Sequence, residues 1–181
     1  MVTVYLCKAG ECATDALVTK LAKPYFPGGV PEILRENRGK PYFSGDTGIH
    51  FSVSHSGDFV AVAFGTEPLG IDLQQHKRRG TDAIFRHQKL AQRYFHPLEQ
   101  QLVEKDLWED FFRVWTAKES FVKRTGRGID HGFSQICILP KGDAWEDENG
   151  FFRQMVLPSG YTLTLSTESP ADWEIIGACI E

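Results

Sequence analysis

The sequence predicts an α+β protein, with strands gathered toward the two ends of the chain and helices in the middle. Three observations point there. Alternating apolar residues mark strand-like runs at 1–7, 49–56 and 59–64, and again at 133–139, 151–157, 161–166 and 173–180. Between these groups, helical periodicity runs over 83–95 and 109–124. The two kinds of element are segregated rather than strictly alternating, which disfavours a doubly wound parallel sheet.

Taken in order, residues 1–7 open the chain as a strand and 15–23 form a short helix that Pro24 ends. Pro27-Gly28-Gly29 and Arg38-Gly39-Lys40-Pro41 carry loop chemistry. In 49–56, Ile49, Phe51 and Val53 alternate with His50, Ser52 and Ser54, the pattern of a half-buried strand. Gly57-Asp58 then turns the chain into strand 59–64, giving a hairpin, and 69–73 is a short third strand. Helix 83–95 stops before Pro97, a further short helix covers 98–103, and Gly126 lies just past helix 109–124 as a stop signal. The polar stretch 141–150 reads as a loop within the β-rich tail. A boundary near Gly65–Pro68 divides the chain into a lobe of residues 1–66 and a larger lobe of residues 67–181.

Composition narrows the function classes. Of 181 residues, 41% are hydrophobic and 24% charged, ordinary for a globular chain, and 13 Phe with 4 Trp supply a core. The formal net charge of −4 gives no global attraction to nucleic acid or to an anionic membrane, so neither is expected as a partner. No stretch reaches the roughly 20 apolar residues that span a bilayer, and the first residues lack a basic start followed by a long apolar run. A cytoplasmic location with reduced thiols is the expectation for Cys7, Cys12, Cys137 and Cys179. The histidines and cysteines show no zinc-ligand spacing.

Four motifs carry candidate chemistry. On helix 109–124 the side chains of Leu107, Trp108, Phe111, Val114, Trp115, Phe121 and Val122 share one broad arc. Lys118 projects into the middle of that arc, Glu119 lies near its edge, and Lys123 follows Glu119 by one turn. Charges on the packing side of a helix are costly unless paired or ligated. Two readings stay open: a plain Glu119–Lys123 surface pair beside a snorkelling Lys118, or a carboxylate and an ammonium that hold a cation and a phosphate. Gly70-Ile71-Asp72 sets a carboxylate on a short strand, an oxygen donor suited to a hard cation or simply a turn-starting Asp. Ser54-His55-Ser56-Gly57 offers hydroxyl and imidazole donors for phosphate, or turn capping. Gly39-Lys40-Pro41 is a solvated turn or a weak anion contact and lacks the spacing of a P-loop.

Each motif is weak alone, but their order is specific. Gly39-Lys40-Pro41, Phe51-Ser52-Val53-Ser54-His55-Ser56, Gly70-Ile71-Asp72, and Trp115-Thr116-Ala117-Lys118-Glu119-Ser120 with Lys123 together resemble the 4′-phosphopantetheinyl transferase superfamily. The likeness is to its surfactin-synthetase-activating type, in which one chain carries two similar lobes. It runs from about Gly39 to Gly128. The resemblance implies a pseudo-dimer of two α+β lobes with coenzyme A in the cleft between them. It implies Mg²⁺ held by Asp72 and Glu119, with Lys123 and Lys118 toward the phosphates. Ser54 and His55 would contact the coenzyme's phosphates and Lys40 its adenosine end.

It also implies the reaction: a serine hydroxyl of an acyl or peptidyl carrier protein attacks the β-phosphate of coenzyme A and 3′,5′-adenosine bisphosphate leaves. Glu119 is then the catalytic base and Lys123 a catalytic cation. A monomer is expected, since both lobes lie in one chain. The sequence departs from the family twice. Many relatives carry a second acid two residues after the Gly-Ile-Asp aspartate, where this chain has Gln74, whose amide oxygen is a weaker candidate ligand. Only 38 residues precede Gly39, so the basic grip on the coenzyme has no aligned counterpart; Lys20, Lys23, Arg35 and Arg38 are candidates. Two other readings use the same residues: a metal-dependent pyrophosphate hydrolase, and a non-catalytic module that binds coenzyme A or a carrier.

Overall fold

A computed structural model describes residues 1–10, 12–76, 80–104, 109–129 and 132–177. The basic cluster Lys77-Arg78-Arg79, the helix-flanking Leu107 and Trp108, and Cys179 lie outside the described residues. The elements run β1 (Val2–Lys8), α1 (Thr14–Ala22), β2 (Ile33–Arg35), β3 (Pro41–Phe43), β4 (His50–Ser56), β5 (Phe59–Gly65) and β6 (Leu69–Gln75). Then follow α2 (Gly80–Tyr94), α3 (Pro97–Val103), α4 (Glu109–Thr125), β7 (Ala144–Asp147), β8 (Gly150–Leu157), β9 (Tyr161–Thr167) and β10 (Trp173–Gly177). This is the mixed α+β architecture expected. Among the described residues no helix is long and apolar enough to cross a membrane.

Two four-stranded sheets form the frame. The first has order β10-β1-β5-β4 and the second β6-β9-β8-β7. β1 pairs antiparallel with β5, and β6 pairs antiparallel with β9, so each sheet sets its first strand beside a later one. β10 returns to pair parallel with β1, so the end of the chain completes the first sheet. The inner faces meet in one apolar layer: Val4, Leu6, Ala61 and Ala63 pack against Ile71, Leu73, Leu163 and Leu165. Each large side chain fully buried there contributes roughly 1.5–3 kcal/mol. α1 and the β2–β3 hairpin cover the outer face of the first sheet through Val18, Ala22 and Phe43, which pack on Phe51, Val62 and Phe64.

The outer face of the second sheet is polar, and α4 lies on it. Thr162, Thr164 and Ser166 of β9 are each 0% exposed. Thr116 of α4 meets Thr164 hydroxyl to hydroxyl at 2.7 Å, and Gln154 of β8 donates to both Thr164 and the Arg113 carbonyl. Small residues on both sides bring the helix close to the strands. The other flanks of α4 pack on α2 and α3 through Phe95, Phe111 and Phe112, and on the β7–β8 side through Phe121, Phe133, Trp145 and Phe152.

Two stretches differ from the sequence expectation. Residues 133–139 alternate like a strand, yet they form a 3-10 turn (Phe133–Gln135) and an irregular extended segment. Side chains take the place of a partner strand: Glu99 accepts from the Ile138 amide, while Lys118 and Asn149 donate to the Ile136 and Cys137 carbonyls. The stretch 141–150, expected to be a loop, contains β7. Only Trp145 turns inward, where it stacks on Phe152 at 5.0 Å between centroids, so one apolar residue sustains the strand in a polar sequence.

Candidate active site

The seam between the two sheets builds the site. β6 is bonded to β9 along one edge, and its other edge meets β4 through side chains. Ser52, Ser54 and Ser56 accept hydrogen bonds from the amides of Ile71, Leu73 and Gln75 at 3.1, 3.1 and 2.9 Å. Serines at every second position of β4 face one way, and every second amide of β6 faces back. Three amides that would otherwise be orphaned at a buried strand edge are satisfied.

Asp72 sits inside this ladder and is 1% exposed. The strand alternation sends Ile71 into the apolar layer and Asp72 toward α4. Its Oδ1 accepts from Ser54 Oγ at 2.8 Å and from Lys123 Nζ at 2.7 Å. Gln74, on the same face of β6, turns its amide nitrogen toward Asp72 Oδ2 at 3.4 Å. Glu119 lies one helical turn before Lys123, close enough to Asp72 for the two carboxylates to repel. Burial first, and the negative charge of Asp72 second, push the Glu119 carboxyl up to about 7, while Lys123 pulls it back.

The structure therefore brings Asp72, Gln74, Glu119 and Lys123 into one group. Of three other residues, Ser54 touches this group from within the seam, while His55 and Lys118 lie away from it. Ser54 is buried, and its proton is committed to Asp72, which leaves it none to offer a phosphate. His55, the next residue on β4, points the other way, exposed, with Nε2 2.9 Å from Thr14 Oγ1. Lys118 is enclosed on a different flank of α4, where its ammonium meets both Glu99 carboxylate oxygens at 3.1 and 2.9 Å and donates to the Ile136 carbonyl. Burial pushes Glu99 up and Lys118 down, and each pulls the other back toward its charged form. Sequence reasoning missed Glu99 because its partner lies 19 residues away on a different helix, with no periodic signal linking them.

Lys40 reaches across the seam. Its ammonium donates to the Arg124 carbonyl at the end of α4, where a cation complements the helix dipole. Burial lowers its basicity. Arg38 donates to the Arg127 carbonyl, just past the end of α4. Beside them lies an open cleft of about 280 Å³ between the first-lobe loop and α4, lined by Arg38, Lys40, Phe51, Ser52, Val53 and Lys123. Three cations on one cleft suit a polyanionic ligand.

The donors around Asp72 fit a hard divalent cation. Two crowded carboxylates, one driven to about 7, have a charge conflict that a cation between them would relieve. All candidate donors are oxygens, although Gln74 must turn its amide over to offer one. Among the described residues no group of three or more His, Cys, Asp or Glu is placed to hold a metal ion. Asp72 and Glu119 supply two carboxylates, a number that suits Mg²⁺, which is usually bound through one or two carboxylates and several waters.

The α+β frame agrees with the comparisons. The 4′-phosphopantetheinyl transferase superfamily matches residues 68–168, and the chain belongs to it. A 4′-phosphopantetheinyl transferase of Bacillus subtilis is 33% identical over 136 residues, covering 71% of this chain and 57% of that protein. The 4′-phosphopantetheinyl transferase gsp of Aneurinibacillus migulanus is 31% identical over 122 residues, 65% of this chain and 44% of that one. Sfp of Bacillus subtilis strain 168 is 36% identical over 95 residues, 50% of this chain and 39% of that one, in line with the resemblance to the surfactin-synthetase-activating type. The chain spans about half the length of the relatives it matches.

Proposed function

We propose that this protein transfers the 4′-phosphopantetheine group of coenzyme A to a serine of an acyl or peptidyl carrier protein. One observation carries the reading: Lys123 of α4 is bonded to Asp72 of β6 at 2.7 Å, with Glu119 one helical turn before it, beside a cationic cleft. Mg²⁺ held by Asp72, Glu119 and the Gln74 amide oxygen would neutralise pyrophosphate charge and stabilise the leaving phosphate. The chain's own residues do the rest. Glu119 accepts the proton of the carrier serine as its oxygen bonds to the β-phosphorus. The bond from that phosphorus to the bridging oxygen breaks, and 3′,5′-adenosine bisphosphate carries the electron pair away. Lys123 neutralises charge on the phosphoryl oxygens. Arg38 and Lys40 border the cleft for the coenzyme, and His55 at the exposed side of β4 is a further phosphate contact.

We divide the chain into lobes of residues 1–66 and 67–181, with β10 returning to the first sheet, and since Asp72, Glu119 and Lys123 all come from one chain, the site favours a monomer. Arg86, Lys89 and Arg93 on α2, near exposed Phe85, together with Lys77–Arg79, favour a carrier with an acidic face. The test is mass spectrometry of apo carrier domains from fatty acid, polyketide and nonribosomal peptide systems after incubation with coenzyme A and Mg²⁺. The expected result is the gain of one phosphopantetheine group. Release of 3′,5′-adenosine bisphosphate without carrier would instead mark a pyrophosphate hydrolase. Coenzyme binding with no turnover at all would mark a binding module.

A further inference from the structure

We propose that Lys118 is not a coenzyme contact but half of an internal lock with Glu99, which sets the rotation of α4 and so the presentation of Glu119 and Lys123. Both side chains of the pair are 0% exposed. Every direction in which the Lys118 ammonium can donate is already taken by protein: Glu99 Oε2 at 2.9 Å, Glu99 Oε1 at 3.1 Å and the Ile136 carbonyl. The ring of Phe133 closes over it, 4.9 Å from the nitrogen to the centroid. No donor remains for a phosphate.

Glu99 is as fully committed. Its Oε2 also accepts from the His96 amide at 2.7 Å, closing the first turn of α3, and its Oε1 accepts from the Ile138 amide at 2.7 Å. The pair therefore ties α3, α4 and the segment 136–138 together at one point. Residue 118 precedes Glu119 by one position, about 100° around the helix. Pinning Lys118 toward α3 fixes the direction in which Glu119 and Lys123 leave the helix, toward Asp72. Lys118 and Glu99 are positioning residues in this account.

The functional half of the inference rests on the transferase reading above, and the experiment separates the two. Lys118→Met, Glu99→Gln and the double variant Glu99→Gln/Lys118→Met are compared for melting temperature, coenzyme A affinity by calorimetry, and transfer to an apo carrier domain. Each single variant leaves one buried charge unpaired and should melt lower and turn over at least tenfold more slowly. In the double variant both charges are gone, and the carboxamide oxygen introduced at position 99 still accepts from the Ile138 amide. It should recover at least half of the lost melting temperature and most of the lost kcat, with coenzyme A affinity within threefold of the parent. A double variant with restored melting temperature but tenfold weaker coenzyme A binding would overturn the proposal, because only a lost ligand contact behaves so. Singles that melt and turn over like the parent would overturn it as well. Failure of the parent to bind coenzyme A would count against the transferase reading, while rescue of melting temperature would still test the lock.

Discussion

Gly70 on β6 lies so close beneath Ser120 on α4 that one added methyl group would overlap the Ser120 carbonyl oxygen. It would also sit 2.5 Å from the Arg124 amide nitrogen. Both obstacles are helix backbone, which cannot swing aside as a flexible side chain can. The glycine of Gly-Ile-Asp is thus the place where strand and helix touch. It lets Glu119 and Lys123, the neighbours of Ser120 and Arg124, come level with Asp72.

Gly70→Ala should therefore push α4 off the sheet. The expected cost is about 1–3 kcal/mol of stability, typical of overpacking, with a larger fractional loss of turnover than of coenzyme binding. Melting temperature and single-turnover transfer measure the two. Wild-type values for both would show that the helix can stand farther off without harm.

The serine ladder offers an internal control. Ser52 and Ser54 each accept one β6 amide at 3.1 Å, and both are buried, but only Ser54 also donates to Asp72. Ser52→Ala and Ser54→Ala should each lose about 1–3 kcal/mol for the orphaned amide, and Ser54→Ala more, because the Asp72 carboxylate loses a donor as well. Only Ser54→Ala should weaken Mg²⁺ binding, read as the metal concentration that gives half-maximal transfer. Equal metal dependence in the two variants would remove Ser54 from the site.

Much of this was legible in the sequence, with clear limits. Asp72 and Glu119 stand 47 positions apart, and only the order of short motifs linked them before the fold was known. Helical periodicity placed Lys118 within an apolar arc, but not what it meets there, because Glu99 arrives from a separate short helix. Alternation along β4 placed Ser54 correctly on one face. That face proved to be the seam with β6 rather than an open mouth, and no local pattern distinguishes the two. The run 133–139 alternates like a strand, but its backbone partners are side chains of Glu99, Lys118 and Asn149, which no periodicity records.

Glu119 sets a pH dependence whose sign follows from its environment. Its carboxyl titrates near 4.5 when unfolded and at about 7 in the metal-free fold. Between those values the native state binds more protons than the unfolded one, so stability falls as pH rises from about 4.5 to 7 and levels off above. The loss should reach roughly 1–3 kcal/mol for a half-buried group. Thermal melts in EDTA should show this slope. Added Mg²⁺ should raise the melting temperature at pH 8 and have little effect at pH 5, where Glu119 is protonated. Glu119→Gln should lose the slope, keep the fold, and turn over roughly 10²-fold more slowly, the range for a lost general base. Full turnover in that variant would take Glu119 out of the chemistry.

Asp72→Asn separates the two causes that raise Glu119. Asparagine keeps the shape of aspartate and an oxygen that accepts from Ser54 and Lys123, so the seam should hold and the melting temperature should stay within a few degrees of the parent. The negative charge facing Glu119 disappears. Burial is the larger cause of the raised value and remains, while the repulsion from Asp72 does not. The pH slope in EDTA should shrink without vanishing, and Mg²⁺ should lose most of its stabilising effect at pH 8, since one of two carboxylate ligands is gone. An unchanged slope together with unchanged Mg²⁺ stabilisation would mean that the two carboxylates do not share an ion, and the active-site reading would fail with it. An unfolded Asp72→Asn protein would instead give Asp72 a structural role. The Ser54→Ala variant, which weakens Asp72 without removing its charge, would then carry the test.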